Sequence, residues 1–139
     1  MKVMVAYDGT LQAKEALRFG SDKARETGAM LAVLQVVDSG MFAGYESSPG
    51  ARDTIRREAA MRLGEAKAIV KAAGVDAYFF TAEGDPEETV VEFATSEKVD
   101  FIVCAPRLRS LITRREKAAD KGSALLLDFT GKTTAVKAA

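Results

Sequence analysis

Residues 2–10 read KVMVAYDGT and residues 31–37 read LAVLQVV. Together they decide the fold. The first stretch is a short apolar run that ends on Asp8-Gly9-Thr10, which predicts a strand followed by a helix cap. Either Thr10 or Asp8 can supply the capping oxygen. Ala13, Ala16, Leu17, Gly20 and Ala24 then recur at helical spacing. Gly28 stands where a left-handed helix stop belongs. The second stretch is almost continuously apolar, as a strand covered on both faces would be. Strand, helix, glycine, strand is a βαβ unit, with parallel strands and the helix laid across one face.

The unit recurs. A loop over 38–50, DSGMFAGYESSPG, precedes a helix predicted from about Ala51 to Ala73. Ile55, Ala59, Leu63, Ala66 and Val70 line one face of that helix, and Gly74 closes it. Met41, Phe42 and Tyr45 in the loop are candidates for a ligand lid or a partner surface, against the ordinary reading that loop aromatics fold back onto the protein. Ala77–Thr81 reads as the third strand and Phe101–Cys104 as the fourth. Between them Gly84-Asp85-Pro86 opens a helix, with Pro86 preset for the first turn and Val90, Val91 and Ala94 buried. Asp85, Glu87 and Glu88 suit the helix dipole without a metal. Ser123–Phe129 is expected as a short helix and Thr133–Val136 as a final edge strand. The whole reads as one α/β domain over residues 1–139.

Composition narrows the chemistry. The 139 residues carry 20 basic and 20 acidic side chains and no histidine. Histidine triads, histidine metal sites and the usual general base near neutral pH are therefore excluded. A single cysteine allows no internal disulfide and, without histidine, no structural zinc site, which suits a reducing cytoplasm. No apolar stretch approaches the roughly 18 residues of a membrane span. No nucleophile–base pair is evident, which leaves little room for an enzymatic activity.

Charge is spread unevenly. Residues 107–121 hold six basic and two acidic side chains within a chain of zero net charge. This segment follows the fourth strand directly and reads as a basic loop ending on Gly122-Ser123. In an open parallel sheet, the carboxyl end of a strand is where anionic ligands are held. Arg107 and Arg109 are candidates to grip phosphate, since guanidinium binds it bidentately. Nucleic acid is disfavoured, because aromatic residues are not interleaved with the basic ones.

VMVAYDGT, LAVLQVVD, GDPEETVVEFA and VDFIVCAPRLRS, in this order, resemble the universal stress protein family along nearly the whole chain. The resemblance implies a flavodoxin/Rossmann-like three-layer sandwich around a five-stranded parallel sheet of order 3-2-1-4-5, often dimeric. It also implies an adenine-nucleotide site, in which Asp8 and Val36 match positions at the base and Gly122-Ser123 keeps the Gly-Ser pair at the phosphates; on that reading Asp8, Gly9, Thr10 and Val36 hold the base and ribose side, and Ala105, Gly122 and Ser123, with Arg107 and Arg109 in place of lost loop amides, hold the phosphates. ATP, ADP or AMP, with or without Mg2+, are the implied ligands, and at most weak ATP hydrolysis is the implied activity. Binding members carry G-x2-G-x9-G-[ST] after the fourth strand. Here Ala105 and Leu108 replace the first two glycines, and thirteen residues rather than nine separate Leu108 from Gly122. A side chain at Leu108 is placed to fill phosphate space, and the lost glycines remove conformational freedom.

Two readings follow. One is a small-molecule binding module for stress response or regulation, holding an adenine nucleotide with a non-standard phosphate end. The other is a nucleotide-free homodimer or partner-docking protein of the same family. Gly131-Lys132-Thr133 resembles the end of a P-loop but lacks the glycine five residues earlier, at Leu126. Cys104 reads as a buried small hydrophobe rather than a reactive thiol.

Overall fold

A computed structural model of the protein describes residues 1–42, 48–116, 124–128 and 133–136. The first βαβ unit forms as its pattern predicts. Strand β1 (Lys2–Tyr7) leads into helix α1 (Leu11–Thr27), which returns the chain to β2 (Met30–Asp38). The Thr10 hydroxyl accepts a hydrogen bond from the Ala13 amide at 3.1 Å and caps α1. Asp8 is a brace for that cap, accepting from the Thr10 amide at 3.0 Å and from its hydroxyl at 2.7 Å. Gly28 ends the helix at φ 71°, where a side chain would be strained.

Helix α2 (Pro49–Ala72) then leads to β3 (Ala77–Gly84), α3 (Pro86–Ser96) and β4 (Phe101–Cys104). Asp85 caps α3 by accepting from the Glu88 amide at 3.1 Å, with Pro86 in the first turn. The strands β1 to β4 are parallel and ordered β3-β2-β1-β4, as expected. Side chains alternate across them. Val3, Val5, Leu31 and Val33 face α1 and α2, while Met4, Ala6, Leu34 and Ile102 pack on the α3 side. Because both faces are covered, β1 is buried from Val3 to Tyr7. Cys104 is likewise buried, and it is not in a disulfide.

Three expectations are corrected. The described part of the basic segment read as a loop is helical: α4 (Pro106–Glu116) begins two residues after β4. Proline at its first position has the right φ and no amide to leave unpaired. Leu108 and Ile112, four residues apart, turn that helix onto the α3-side core. The segment expected as a short helix is strand β5 (Ala124–Asp128), parallel to β4 with Phe101 opposite Leu125. An apolar run this short fits a strand as well as a helix, so periodicity alone does not separate them. Thr133–Val136, expected as the last of five parallel strands, is β6 and pairs antiparallel with β5. Only residues 129–132 join the two, whereas a parallel crossover needs about a dozen or more. Among the described residues the sheet therefore has six strands, ordered β3-β2-β1-β4-β5-β6.

Candidate functional site

The chain reverses direction across the sheet between β1 and β4, so the helices leaving their carboxyl ends diverge to opposite faces. A crevice must open there. It is occupied by a cavity of about 880 Å³ lined from the ends of β1, β2 and β4 and from α1, α2, α3 and α4. This is within the size range of small-molecule sites.

The cavity has two unlike walls. On the α3/α4 side it is apolar: Ala6, Val36, Val90, Leu108 and Leu111. On the α1/α2 side it is polar, with Tyr7, Gln12, Gln35 and Arg62. Asp8 and Asp38 stand at the carboxyl ends of β1 and β2, both exposed. The Asp38 carboxylate accepts from the Gly40 amide at 2.9 Å, which fixes the turn leaving β2.

Of the residues expected at the site, Asp8, Thr10, Val36, Ala105 and Arg107 line this cavity. Gly9 does not, but it shapes the wall: at φ 83° it lets the chain pass beneath the Arg62 side chain. Arg109 lies one turn into α4 and is not among the lining residues; its amide donates to the Ala105 carbonyl at 3.1 Å. Gly122 and Ser123 lie outside the described residues, as does Tyr45 of the expected lid. Leu108 was expected to intrude where phosphate would sit. It lines the cavity and also packs against the core beneath α4.

Residues not singled out from the sequence complete the wall. Gln35 is fully buried, and its Nε2 donates to the Ala59 carbonyl of α2 at 2.6 Å. Its Oε1, the Tyr7 hydroxyl and the Arg62 Nε are all buried without a partner among the described residues. Burial pushes the Tyr7 phenol up from its ordinary 10.0, with the nearby carboxylates of Glu65 and Asp8 adding to the shift. The phenol therefore keeps its proton at neutral pH. Gln35 carries a usable signal: it is the one polar residue inside LAVLQVV. A polar residue in a doubly covered strand needs a partner. Arg62 has no comparable signal, since arginine on a charged helix is ordinary.

Among the described residues no group of carboxylates and cysteine is placed to hold a metal ion. None of the helices among them is long and apolar enough to cross a membrane.

Fold and cavity define a doubly wound α/β protein with a ligand-sized crevice at its topological switch point. The universal stress protein family model matches residues 1–115, and the chain belongs to that family. A universal stress protein of Methanocaldococcus jannaschii is 28% identical over 105 residues, 73% of this chain and 62% of the relative. The match thus spans less than two thirds of that relative's length. A universal stress protein from Archaeoglobus fulgidus, solved in complex with dAMP, aligns with a TM-score of 0.64 at 24% identity over 92% of this chain and 96% of its own. A universal stress protein solved in complex with cAMP aligns with a TM-score of 0.53 at 25% identity, over 74% of this chain and 70% of its own.

Proposed function

We propose that the protein is a universal stress protein that binds an adenine nucleotide at the carboxyl edge of its sheet, with a phosphate end built differently from a glycine loop, and that this binding serves stress response or regulation. The observation that carries the reading is the cavity itself, which gathers Asp8, Thr10, Val36, Ala105 and Arg107 at the switch point. The cAMP complex of a related protein supports the ligand class.

The flat apolar wall of Val36, Val90, Leu108 and Leu111 suits the base. Phosphate falls to the start of α4. Ala105 precedes the helix and offers no side-chain acceptor, so the first-turn amides of Arg107 and Leu108 receive no cap from it. A helix amino terminus of this kind favours an anion, and the exposed Arg107 adds a mobile positive charge. Two amides and one guanidinium form a smaller phosphate cradle than a glycine-rich loop. AMP is therefore held at least as well as ATP. Isothermal titration with ATP, ADP and AMP tests this order; the absence of heat at millimolar AMP, with folded protein, removes the reading.

The replacement of the family's glycines by Ala105 and Leu108 favours a second reading, in which the protein works without nucleotide as a homodimer or docking partner. Nucleotide released on denaturing freshly purified protein counts against it. Sedimentation over a concentration series tests the dimer.

A further inference from the structure

The described sheet ends on β3 at one side and on the short strand β6 at the other. An edge strand presents a row of backbone amides and carbonyls with no neighbour. Proteins that stay monomeric blunt such edges with lysine, proline, a bulge or a very short strand. β3 has none of these. It runs for 8 residues, AYFFTAEG, and stays in unbroken register with β2 from Ala77 to Gly84. Its single charge, Glu83, is offset by the two hydrogen bonds from Arg56. Tyr78 is 60% exposed, and Thr81 and Glu83 are exposed as well. No described strand pairs with the outer side of β3.

The charges along this edge select its occupant. Phe79 packs on the α1/α2 side of the sheet, and alternation puts Thr81 and Glu83 on that side too. Helix α2 borders the row. Arg56 reaches Glu83, and about three turns further on Lys67 stands over the Phe79 ring, its Nζ 5.6 Å from the centroid. Lys67 is exposed and forms no ion pair among the described residues. A carboxylate and an ammonium thus lie at matching distances on either side of Thr81. A two-fold axis through Thr81 sets Phe79 opposite Glu83 of a second copy, and the carboxylate comes beside Lys67, once on each side of the axis. On the other face Phe80 falls opposite Ala82 of the second copy, large against small. The exposed Ala60 lies between Arg56 and Lys67 on the same flank of α2, so no bulky side chain bars the approach of the two helices.

We infer that β3 is the surface through which two copies of this chain pair, antiparallel and in register about Thr81, joining their sheets into one. The inference rests on the homodimer reading given above and deepens it by naming the interface and its charge pair, Lys67 with Glu83. It holds with or without nucleotide, because no residue of β3 lines the cavity. A strip of about 26 Å flanked by one helix buries on the order of 1,000 Å² in total, the size of a weak, reversible dimer.

The test is sedimentation equilibrium of the full chain. Wild type is expected to pass from monomer to dimer within about 1–500 μM. Lys67→Glu and Glu83→Lys each set like charges face to face and are expected to weaken association at least about tenfold. An equimolar mixture of the two variants restores both opposite-charge pairs and is expected to associate as wild type does. Thr81→Lys sets two lysines against each other on the axis with Lys67 and Glu83 in place; it is expected to weaken association too, and it decides the matter if a charge variant fails to fold. A wild-type dimer that these substitutions leave unchanged overturns the β3 interface while the homodimer reading stands. Weakening in both charge variants that their mixture does not restore overturns it as well. A wild type that stays monomeric throughout removes the homodimer reading and the interface with it, and leaves a strand of a different chain as the occupant.

Discussion

Replacing Gly9 by alanine should cost more than replacing any other left-handed glycine whose surroundings are open, and the excess should vanish when Arg62 is shortened. Gly9 has φ 83° and Gly28 has φ 71°, so both substitutions force an L side chain into the left-handed region. That backbone term is about 1–2 kcal/mol. At Gly28 nothing lies within 4 Å of the added Cβ, so Gly28→Ala measures the backbone term alone. At Gly9 the added Cβ would stand 2.4 Å from Arg62 Cδ and 3.0 Å from its Cγ. These are stem atoms, so rotating the guanidinium gives no relief, and the whole side chain must leave its position over β1. Overpacking of this kind costs about 1–3 kcal/mol. Gly9→Ala should therefore destabilise by about 2–5 kcal/mol against about 1–2 kcal/mol for Gly28→Ala. Shortening Arg62 to alanine leaves only its Cβ, at 3.6 Å, an ordinary contact. In that background Gly9→Ala should fall to the Gly28→Ala value, giving a coupling of about 1–3 kcal/mol. Urea unfolding of the four proteins of the cycle, plus Gly28→Ala, supplies the numbers from midpoints at constant slope. If Gly9→Ala costs no more than Gly28→Ala, or if its cost is unchanged in the Arg62→Ala background, Arg62 does not lie over Gly9. The α1/α2 wall described above would then be wrong.

Lys98 is the only non-glycine with positive φ among the described residues, at 54°, just past the end of α3. Lys98→Gly should raise stability by about 1 kcal/mol, seen as a higher urea midpoint; an unchanged or lower midpoint would remove the strain argument. Arg56 on α2 grips Glu83 near the end of β3 with two hydrogen bonds, of 2.9 and 3.2 Å, and these hold the Glu83 carboxyl below its ordinary 4.5. A depressed folded pKa contributes stability above the unfolded value and loses it as pH falls through the folded one. The small difference in urea midpoint between wild type and Glu83→Gln should thus be present at pH 7 and shrink as the pH falls below the ordinary 4.5 and through the lowered folded value. A difference that does not shrink on acidification below 4.5 would show that the pairing is not its source.

The first two-thirds of the fold was legible because each local signal agreed with the next. Thr10 and Asp85 cap, Gly28 and Gly74 stop, and the apolar faces of α1 and α3 are the buried ones. The last third was not. A run such as Leu125-Leu126-Leu127 satisfies helix and strand alike, and pairing with β4 decides it. The α4 segment was missed for a different reason. Arginines at 107, 109, 114 and 115 suggested a solvated loop, but Pro106 followed by Leu108, Leu111 and Ile112 is a helix start with an inward stripe.

That same helix explains why part of the site could be read from sequence and part could not. Residues that meet the cavity through a motif position, such as Asp8, Thr10, Val36 and Ala105, are fixed by the ends of strands and can be found by register. Arg62 meets it only because α2 packs back over β1 and β2, a tertiary event with no local trace, whereas Gln35 leaves one trace, a polar residue inside an apolar strand. The exchange has a physical consequence. A glycine loop offers phosphate several amides and little side-chain choice. A proline-started helix fixes its first-turn amides and leaves the remaining recognition to side chains on the walls. A cavity rebuilt this way should therefore lose affinity for a long phosphate chain. Comparing ATP with AMP on one protein reads that change: a clear preference for ATP would mean that the helix is only a distorted loop.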